Sequence, residues 1–200
     1  MANRDLFVTN AILYHTVLQR QSCLDQLIDG LHHYGVLSLL RETPSLRVLF
    51  DRPKEGKVLA ADSVAGILKP SYSVLGSNKR SLEEMMVIKF RDFLLCVENG
   101  QLKETYGERI LTKDEEAFLK TLSPAHILAF ATGSSRVPAT GFHPTPKLVF
   151  VHDDNKHLPI AHTCSNELLL FVNSKTTADD DEFNNYFLVA LMNGSVFSTI

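Results

Sequence analysis

The chain has 200 residues, of which 44% are hydrophobic and 22% are charged, and its formal net charge at pH 7 is -3. This length allows one domain or two small ones, and the hydrophobic fraction is sufficient for a packed core, which excludes extended disorder. The slightly negative charge argues against a nucleic-acid surface and against a basic membrane patch, so we expect neither nucleic acid nor a membrane as a partner.

The three cysteines are widely spaced and include no CxxC pair: Cys23, Cys96 and Cys164. This pattern indicates neither a disulfide framework nor a zinc module, and we expect reduced thiols in the cytoplasm, the nucleus or both. No apolar run reaches the roughly 18 residues of a membrane span. Polar residues interrupt the apolar residues near the N-terminus and no cleavage site follows them, so no signal peptide is predicted.

Residues 6–50 are predicted to be mostly helical and carry no chemical motif. One helix is indicated by apolar residues that recur at the spacing of a helical face: Leu24, Leu27, Ile28 and Leu31. A second, short helix is predicted over residues 63–68, with Asp62 as its N-cap and Pro70 beyond its end.

The clearest helical pattern covers residues 81–98, where Ser81 and Glu84 fit a capping box. One face of this helix is apolar: Leu82, Met86, Phe90, Phe93 and Val97. Such a stripe is more often core than cofactor site, so we expect it to be buried. Residues 99–111 are polar and contain two glycines, and we predict a linker and a domain boundary there.

Two helices are predicted after this linker. Thr112 and Glu115 fit a capping box, and Ser123 followed by Pro124 fits an N-cap with proline at the first helical position of a helix that ends at Gly133. The following loop carries Arg136, which either binds a carboxylate or caps a helix end, and the residues alone do not decide between these roles.

Two short apolar runs, at residues 147–152 and 168–171, are predicted to be strands. A polar loop is predicted over residues 173–178. Acidic residues at 179–182 then mark the start of a last helix, which ends at Gly194.

Between the two strands lies the turn His162-Thr163-Cys164-Ser165-Asn166. A thiol in a polar turn is accessible, and an unperturbed cysteine has a pKa of roughly 8.5, so a modest fraction is thiolate near neutrality. The residues alone leave an inert thiol, a cysteine peptidase and a thioester carrier open. A zinc site is disfavoured because its ligands would diverge from a strand-turn-strand: His152, His157, His162 and Cys164.

Several segments of the second half, in their order and spacing, resemble the C-lobe of HECT-type ubiquitin ligases. The segments are Phe130 to Pro138, Gly141-Phe142, Leu158-Pro159, Ala161 to Cys164, Asn166 and Leu168. The resemblance covers residues 112–200 and extends more loosely to residues 58–98, which are similar to the last helices of the N-lobe. It implies an α+β fold, in which a helical N-terminal part precedes a compact two-layer C-lobe with a small sheet flanked by helices.

The resemblance also implies a role for Cys164, which by position accepts ubiquitin as a thioester from a conjugating enzyme and yields it to a lysine of a protein substrate. His162, Thr163 and Asn166 are implied to support it, as is Phe197, which lies fourth from the end, where the family has a phenylalanine. No cofactor and no metal are implied. The implied organisation is a helical segment over residues 1–98, a hinge over 99–111 and a C-lobe over 112–200.

The sequence departs from the family pattern in two respects. Phe171 follows Leu170 where the family usually has a proline and then an aromatic residue. Most of the usual N-lobe, which carries the site for the conjugating enzyme, has no counterpart in this sequence. A non-catalytic module that binds ubiquitin or a ligase partner therefore stays open as the alternative.

Overall fold

A computed structural model of the chain describes residues 2–49, 59–102 and 112–194. The structure mixes helices with a small sheet, which confirms the predicted α+β class. By packing, the chain divides into two compact units, Met1–Pro53 and Lys54–Ile200. Among the described helices, none combines the length and apolar character that crossing a membrane requires.

The first unit is helical, as predicted. It contains α1 (Ala2–Thr16), α2 (Gln21–His33) and α3 (Val36–Glu42), with 3-10 turns at Leu18–Arg20 and Pro44–Leu49. The predicted apolar face of α2 is solvent-exposed in this unit, since Leu27 is 58% exposed and α2 has no buried residue. The predicted helix is therefore confirmed, but its apolar face is not part of a buried core in this unit.

The second unit combines helices with a four-stranded sheet, and three of the described helices lie between its first and second strands in sequence. Its elements are α4 (Ala61–Ile67), β1 (Lys69–Ser71), α5 (Asn78–Asn99), α6 (Lys113–Thr121), α7 (Pro124–Thr132), β2 (Lys147–Val151), β3 (Ile160–His162), β4 (Glu167–Phe171), α8 (Ser174–Ala178) and α9 (Asp180–Gly194). The strand order is β1-β2-β4-β3. The β1–β2 and β2–β4 pairs are parallel, and β3 runs antiparallel to β4.

The core of this unit joins α5 to α9 through aromatic rings. The ring centroids of Phe93 and Phe187 are 4.5 Å apart, and those of Phe90 and Phe187 are 5.7 Å apart. The predicted stripe on α5 is thus confirmed from Met86 to Val97, whereas Leu82 is 38% exposed and lies outside the core. Burial of these aromatic side chains stabilises the packing of α5 against α9.

The predicted start of α5 was wrong. The helix begins at Asn78, and the hydroxyl of Ser77 accepts a hydrogen bond from the backbone N–H of Lys79 at 3.2 Å. Ser81 lies inside the helix, where the N–H of Glu84 belongs to the helical ladder and needs no cap. Glu84 instead pairs with Arg80 one turn earlier, at 2.9 Å.

Two further local predictions were wrong. Asp62 lies in the first turn of α4, where the helix dipole favours its charge, and the N-cap position is occupied by Ala60. The polar loop predicted over 173–178 contains α8, because the side chain of Asn173 caps it and accepts hydrogen bonds from the N–H groups of Lys175 and Thr176, both at 3.1 Å.

The other local predictions for the second unit hold. Thr112 and Glu115 form the predicted capping box, Pro124 opens α7, and Gly133 ends it in a left-handed conformation. Strands β2 and β4 match the two predicted runs to within one residue.

Helix α5 shares its core with elements of residues 112–194. Strand β1 pairs with β2, and the ammonium of Lys89 on α5 contacts the carboxylate of Asp180 on α9. Residues 59–102 therefore pack within the same unit as the sheet. Residues 103–111 lie outside the described residues, so the predicted linker and boundary stay a prediction.

Candidate active site

A tight hairpin presents Cys164. Strands β3 and β4 pair antiparallel, with His162 opposite Glu167, and four residues connect the two strands. Cys164 lies within this connection and is exposed. The hairpin therefore places the predicted cysteine in a turn with solvent access, as expected.

Backbone hydrogen bonds define the turn. The N–H of Ser165 donates to the carbonyl of His162 at 3.1 Å, and the N–H of Asn166 donates to the carbonyl of Thr163 at 3.4 Å. These bonds form two overlapping β-turns around Cys164. Within the described part of the chain, the Cys164 thiol itself has no hydrogen-bond partner. The turn is thus held by the backbone, and the sulfur is left available for reaction.

Asn166 anchors the turn to the chain entering β2. It is 6% exposed, and its side-chain amide donates to the carbonyl of Pro144 at 2.8 Å. The backbone carbonyl of Asn166 accepts a hydrogen bond from the N–H of Lys147 at 2.9 Å. Asn166 has a φ of 55°, a left-handed conformation that asparagine tolerates better than most residues. Its residue type is therefore explained by geometry next to Cys164.

The loop after α7 lies against the same turn. A Cβ built on Gly133 would lie 3.7 Å from the Cβ of Thr163, and Gly133 has a φ of 75°. Arg136 follows in this loop and is exposed, and its side chain makes neither a carboxylate contact nor a helix cap within the described residues. The structure thus brings together Thr163, Asn166 and the start of the loop after α7 around Cys164.

A family model described as "HECT-domain (ubiquitin-transferase)" matches residues 113–200. Residues 113–200 are thus similar to a HECT domain. The resemblance found in the sequence is confirmed there, and the Cys164 hairpin and the Gly133 loop both lie inside this HECT segment.

Two curated relatives also match, and both are named "G2/M phase-specific E3 ubiquitin-protein ligase". They come from Macaca fascicularis and Homo sapiens, and each is 24% identical to this chain over 173 residues. The match covers 85% of this chain and 20% of each relative, so the chain spans about one fifth of their length.

The histidines of the second unit bear on the peptidase interpretation, which needs a base beside the thiol. His162 is exposed and makes no side-chain hydrogen bond within the described residues. The others contact groups other than Cys164: His126 contacts Ser123, His143 contacts Thr140, His152 contacts Glu83, and His157 contacts Asn173 and Tyr186. The HECT segment thus shows no Cys–His pair at Cys164 among these residues.

The zinc interpretation also finds no arrangement to support it. In the parts of the chain that the structure describes, no three His, Cys, Asp or Glu side chains lie close enough together to hold a metal ion. Two of the four candidate zinc ligands have other partners: His152 contacts Glu83, and His157 contacts Asn173.

Sequence reasoning missed a buried carboxylate that connects α5 to the HECT segment. Glu83 is 2% exposed and accepts hydrogen bonds from the N–H and hydroxyl of Ser73, at 2.7 and 2.6 Å, and from the ring of His152 at 3.0 Å. Burial raises the pKa of Glu83, but the hydrogen bonds from Ser73 and His152 outweigh it and hold the pKa below its ordinary value. One signal was available: Glu83 lies three residues before Met86, on the apolar face.

Sequence reasoning also missed the charged row at the end of the sheet beside Cys164. Strand register aligns Lys69, Lys147, Glu167 and His162 across all four strands. Directly paired residues on adjacent strands project to the same face, so these side chains line one face of the sheet. The carboxylate of Glu167 also accepts a hydrogen bond from the Ser165 hydroxyl at 3.1 Å. Phe197, the remaining predicted supporting residue, lies outside the described residues.

Proposed function

We propose that Cys164 accepts ubiquitin as a glycyl thioester from a conjugating enzyme and transfers it to a lysine of a protein substrate. The observation that carries this proposal is an exposed thiol, held by a backbone-bonded turn, inside the HECT segment. The partners are ubiquitin, a conjugating enzyme and the substrate, and we expect the protein in the cytoplasm, the nucleus or both.

The chemistry requires little from neighbouring groups. The Cys164 thiolate attacks the carbonyl of the incoming thioester, a new C–S bond forms, and the thiol of the conjugating enzyme leaves as thiolate. Exchange between a thiolate and a thioester costs little free energy, since one C–S bond replaces another. An accessible thiol with some thiolate character is therefore sufficient, and neither a cofactor nor a metal is part of the proposal.

The supporting residues have separate roles in this proposal. Asn166 holds the turn in its left-handed conformation, and Thr163 keeps the turn against Gly133. His162 closes the hairpin opposite Glu167. Phe197 is proposed to support the transfer from the C-terminal tail.

The test is thioester formation on the chain itself. The chain is incubated with ubiquitin, activating enzyme and a panel of conjugating enzymes, and adducts are resolved on non-reducing gels. We expect a reducible ubiquitin adduct that is absent in Cys164→Ala. Cys23→Ala is the matched control, because Cys23 is also exposed but lies on α2 in the first unit.

Two outcomes would contradict the proposal. The first is an adduct that persists in Cys164→Ala. The second is a loss of several kcal/mol of unfolding free energy in Cys164→Ala, since that belongs to a buried side chain rather than an exposed nucleophile.

The alternative is a module that binds ubiquitin or a ligase partner without catalysis. It is favoured by the extent of the family match, which covers residues 113–200 and leaves the preceding residues without a matched docking lobe for the conjugating enzyme. An experiment in which the chain is joined to a complete HECT N-lobe distinguishes thioester transfer from binding without catalysis. A restored adduct would support a competent catalytic lobe, whereas ubiquitin binding without an adduct would support the module.

A further inference from the structure

We propose that Glu167 receives the positively charged side chain of the substrate lysine at the Cys164 thioester and so favours lysine as the acceptor. This inference rests on the function proposed above. It assigns to Glu167 a part in the second half of the reaction, the transfer to substrate, and none in the loading of Cys164.

The hairpin brings Glu167 close to the reacting position. Glu167 and His162 are the paired residues that close the turn, so both Glu167 and Cys164 belong to one six-residue segment. Ser165, the neighbour of Cys164, donates its hydroxyl hydrogen to the Glu167 carboxylate at 3.1 Å and contacts the carbonyl of His162 at 3.3 Å. This bond holds the carboxylate toward the turn.

The carboxylate retains capacity for another donor. Among the described residues, its only hydrogen bond comes from Ser165, and no ion pair involves it. A carboxylate has about four lone-pair sites, so one hydrogen bond leaves most of them free. Glu167 is half-buried, and a charge interaction at such a site is screened less than one in open water.

The charges around it make Glu167 distinctive. In the charged row, Lys69 and Lys147 are cations, both exposed, and Glu167 is the single carboxylate. The two lysines alone would repel a cationic acceptor. Glu167 lies between Lys147 and His162 in the strand register, next to the turn. It is the member of the row that can attract a cationic acceptor.

The role follows from the chemistry of the acceptor. A lysine side chain is an ammonium near neutral pH and must lose a proton before its nitrogen attacks. The nitrogen then forms a C–N bond to the thioester carbonyl, the C–S bond breaks, and Cys164 leaves as thiolate. Two protons leave the nitrogen, one before the attack and one after the C–N bond forms, and both pass to water, while Glu167 accepts a hydrogen bond from a remaining N–H and orients the nitrogen.

The experiment compares two acceptors on the preformed thioester. Cys164 is loaded with ubiquitin on the full chain, loading is stopped, and discharge is followed with free lysine or with hydroxylamine, which is uncharged at neutral pH. For Glu167→Gln we expect unchanged loading and about tenfold slower discharge to lysine, equivalent to about 1.4 kcal/mol. The lysine concentration that gives half-maximal rate should rise, and discharge to hydroxylamine should be unchanged.

Two variants serve as controls. Glu182→Gln makes the same charge change at an exposed position in the first turn of α9 and should leave both discharges unchanged. Glu167→Asp keeps the charge on a shorter side chain and should restore part of the lysine discharge.

Each other outcome has a defined meaning. Discharge of Glu167→Gln to lysine at the unmodified rate overturns the role of Glu167 and leaves the proposed function intact. Equal slowing of discharge to lysine and to hydroxylamine also overturns the role of Glu167, because it would show that the substitution distorts the turn and does not act through the lost charge. If the unmodified chain does not load even when it is joined to a complete HECT N-lobe, the proposed function is contradicted and the role of Glu167 falls with it.

Discussion

Helices α2 and α5 carry similar apolar stripes but differ in what those stripes contact. Leu27 on α2 is 58% exposed, whereas Phe93 on α5 is 0% exposed and packs against Phe187. Hydrophobic periodicity therefore predicts that a helix forms and which face is apolar, but it does not show whether a second surface covers that face.

The difference predicts different sources of stability for the two helices. Burial of a large apolar side chain contributes about 1.5–3 kcal/mol, and α5 buries several. Helix α2 buries none within the described residues, so its helicity depends on local propensity. Substitutions should therefore act strongly in the second unit and weakly in the first.

The largest expected effect on stability comes from Phe187→Ala. Its ring fills the centre of the aromatic cluster, so the substitution should lower the unfolding free energy of the second unit by about 3–5 kcal/mol. The matched change Leu27→Ala should cost at most about 0.5 kcal/mol, because the side chain is exposed. Segment-resolved hydrogen exchange during urea unfolding measures both, and comparable losses would contradict the difference between the units.

A smaller effect is expected from Glu83→Gln, of about 1–3 kcal/mol, because Ser73 and His152 lose a charged acceptor. The pKa of Glu83 is lowered from its ordinary value of 4.5, so its stabilisation is present above pH 4.5 and is lost as pH falls through the lower folded-state pKa. The difference in stability between the unmodified chain and Glu83→Gln should therefore shrink in acid.

Unfolding free energies measured across this pH range test that expectation. Glu42→Gln, an exposed change on α3 in the first unit, is the control and should show no such difference. A difference for Glu83→Gln that stayed constant into acid would show that the charge of Glu83 is not what stabilises the site.

The smallest effects compare one substitution in both units. Gly30→Ala lies within α2 with open space around the new Cβ, so it should stabilise that helix by about 0.5–1 kcal/mol. Gly133→Ala has room for the Cβ but forces alanine to a φ of 75°, and it should destabilise the second unit by about 1–2 kcal/mol. Circular dichroism and denaturant midpoints measure the two changes in stability. If both substitutions changed stability in the same direction, the assignment of Gly133 to a left-handed cap would be contradicted.

Local features of the fold were predictable because their causes lie within a few residues. The capping box of Thr112 and the left-handed end at Gly133 are of this kind. Strand β1 was missed because it has three residues, contains Pro70, and pairs with β2, whose residues lie 78 positions later in sequence. Propensity within a short window carries no signal for such a pairing.

The site shows the same division. The Cys164 turn was predicted from the polar residues between two apolar runs. The bond from Asn166 to Pro144 spans 22 positions, and the bond from His152 to Glu83 spans 69, so neither is visible as a local pattern. The position of Glu167 beside its cationic neighbours depends on strand register, which only the assembled sheet defines.

Pro70 has a further consequence for how the molecule meets its neighbours. The N–H of Lys69 points inward and donates to the carbonyl of Pro146, so the next residue of β1 faces outward. That residue is Pro70, which has no N–H, and the outer edge of β1 therefore offers no backbone donor from the middle of the strand. A foreign strand cannot form a regular ladder there, and the sheet is protected on this side against edge-to-edge aggregation.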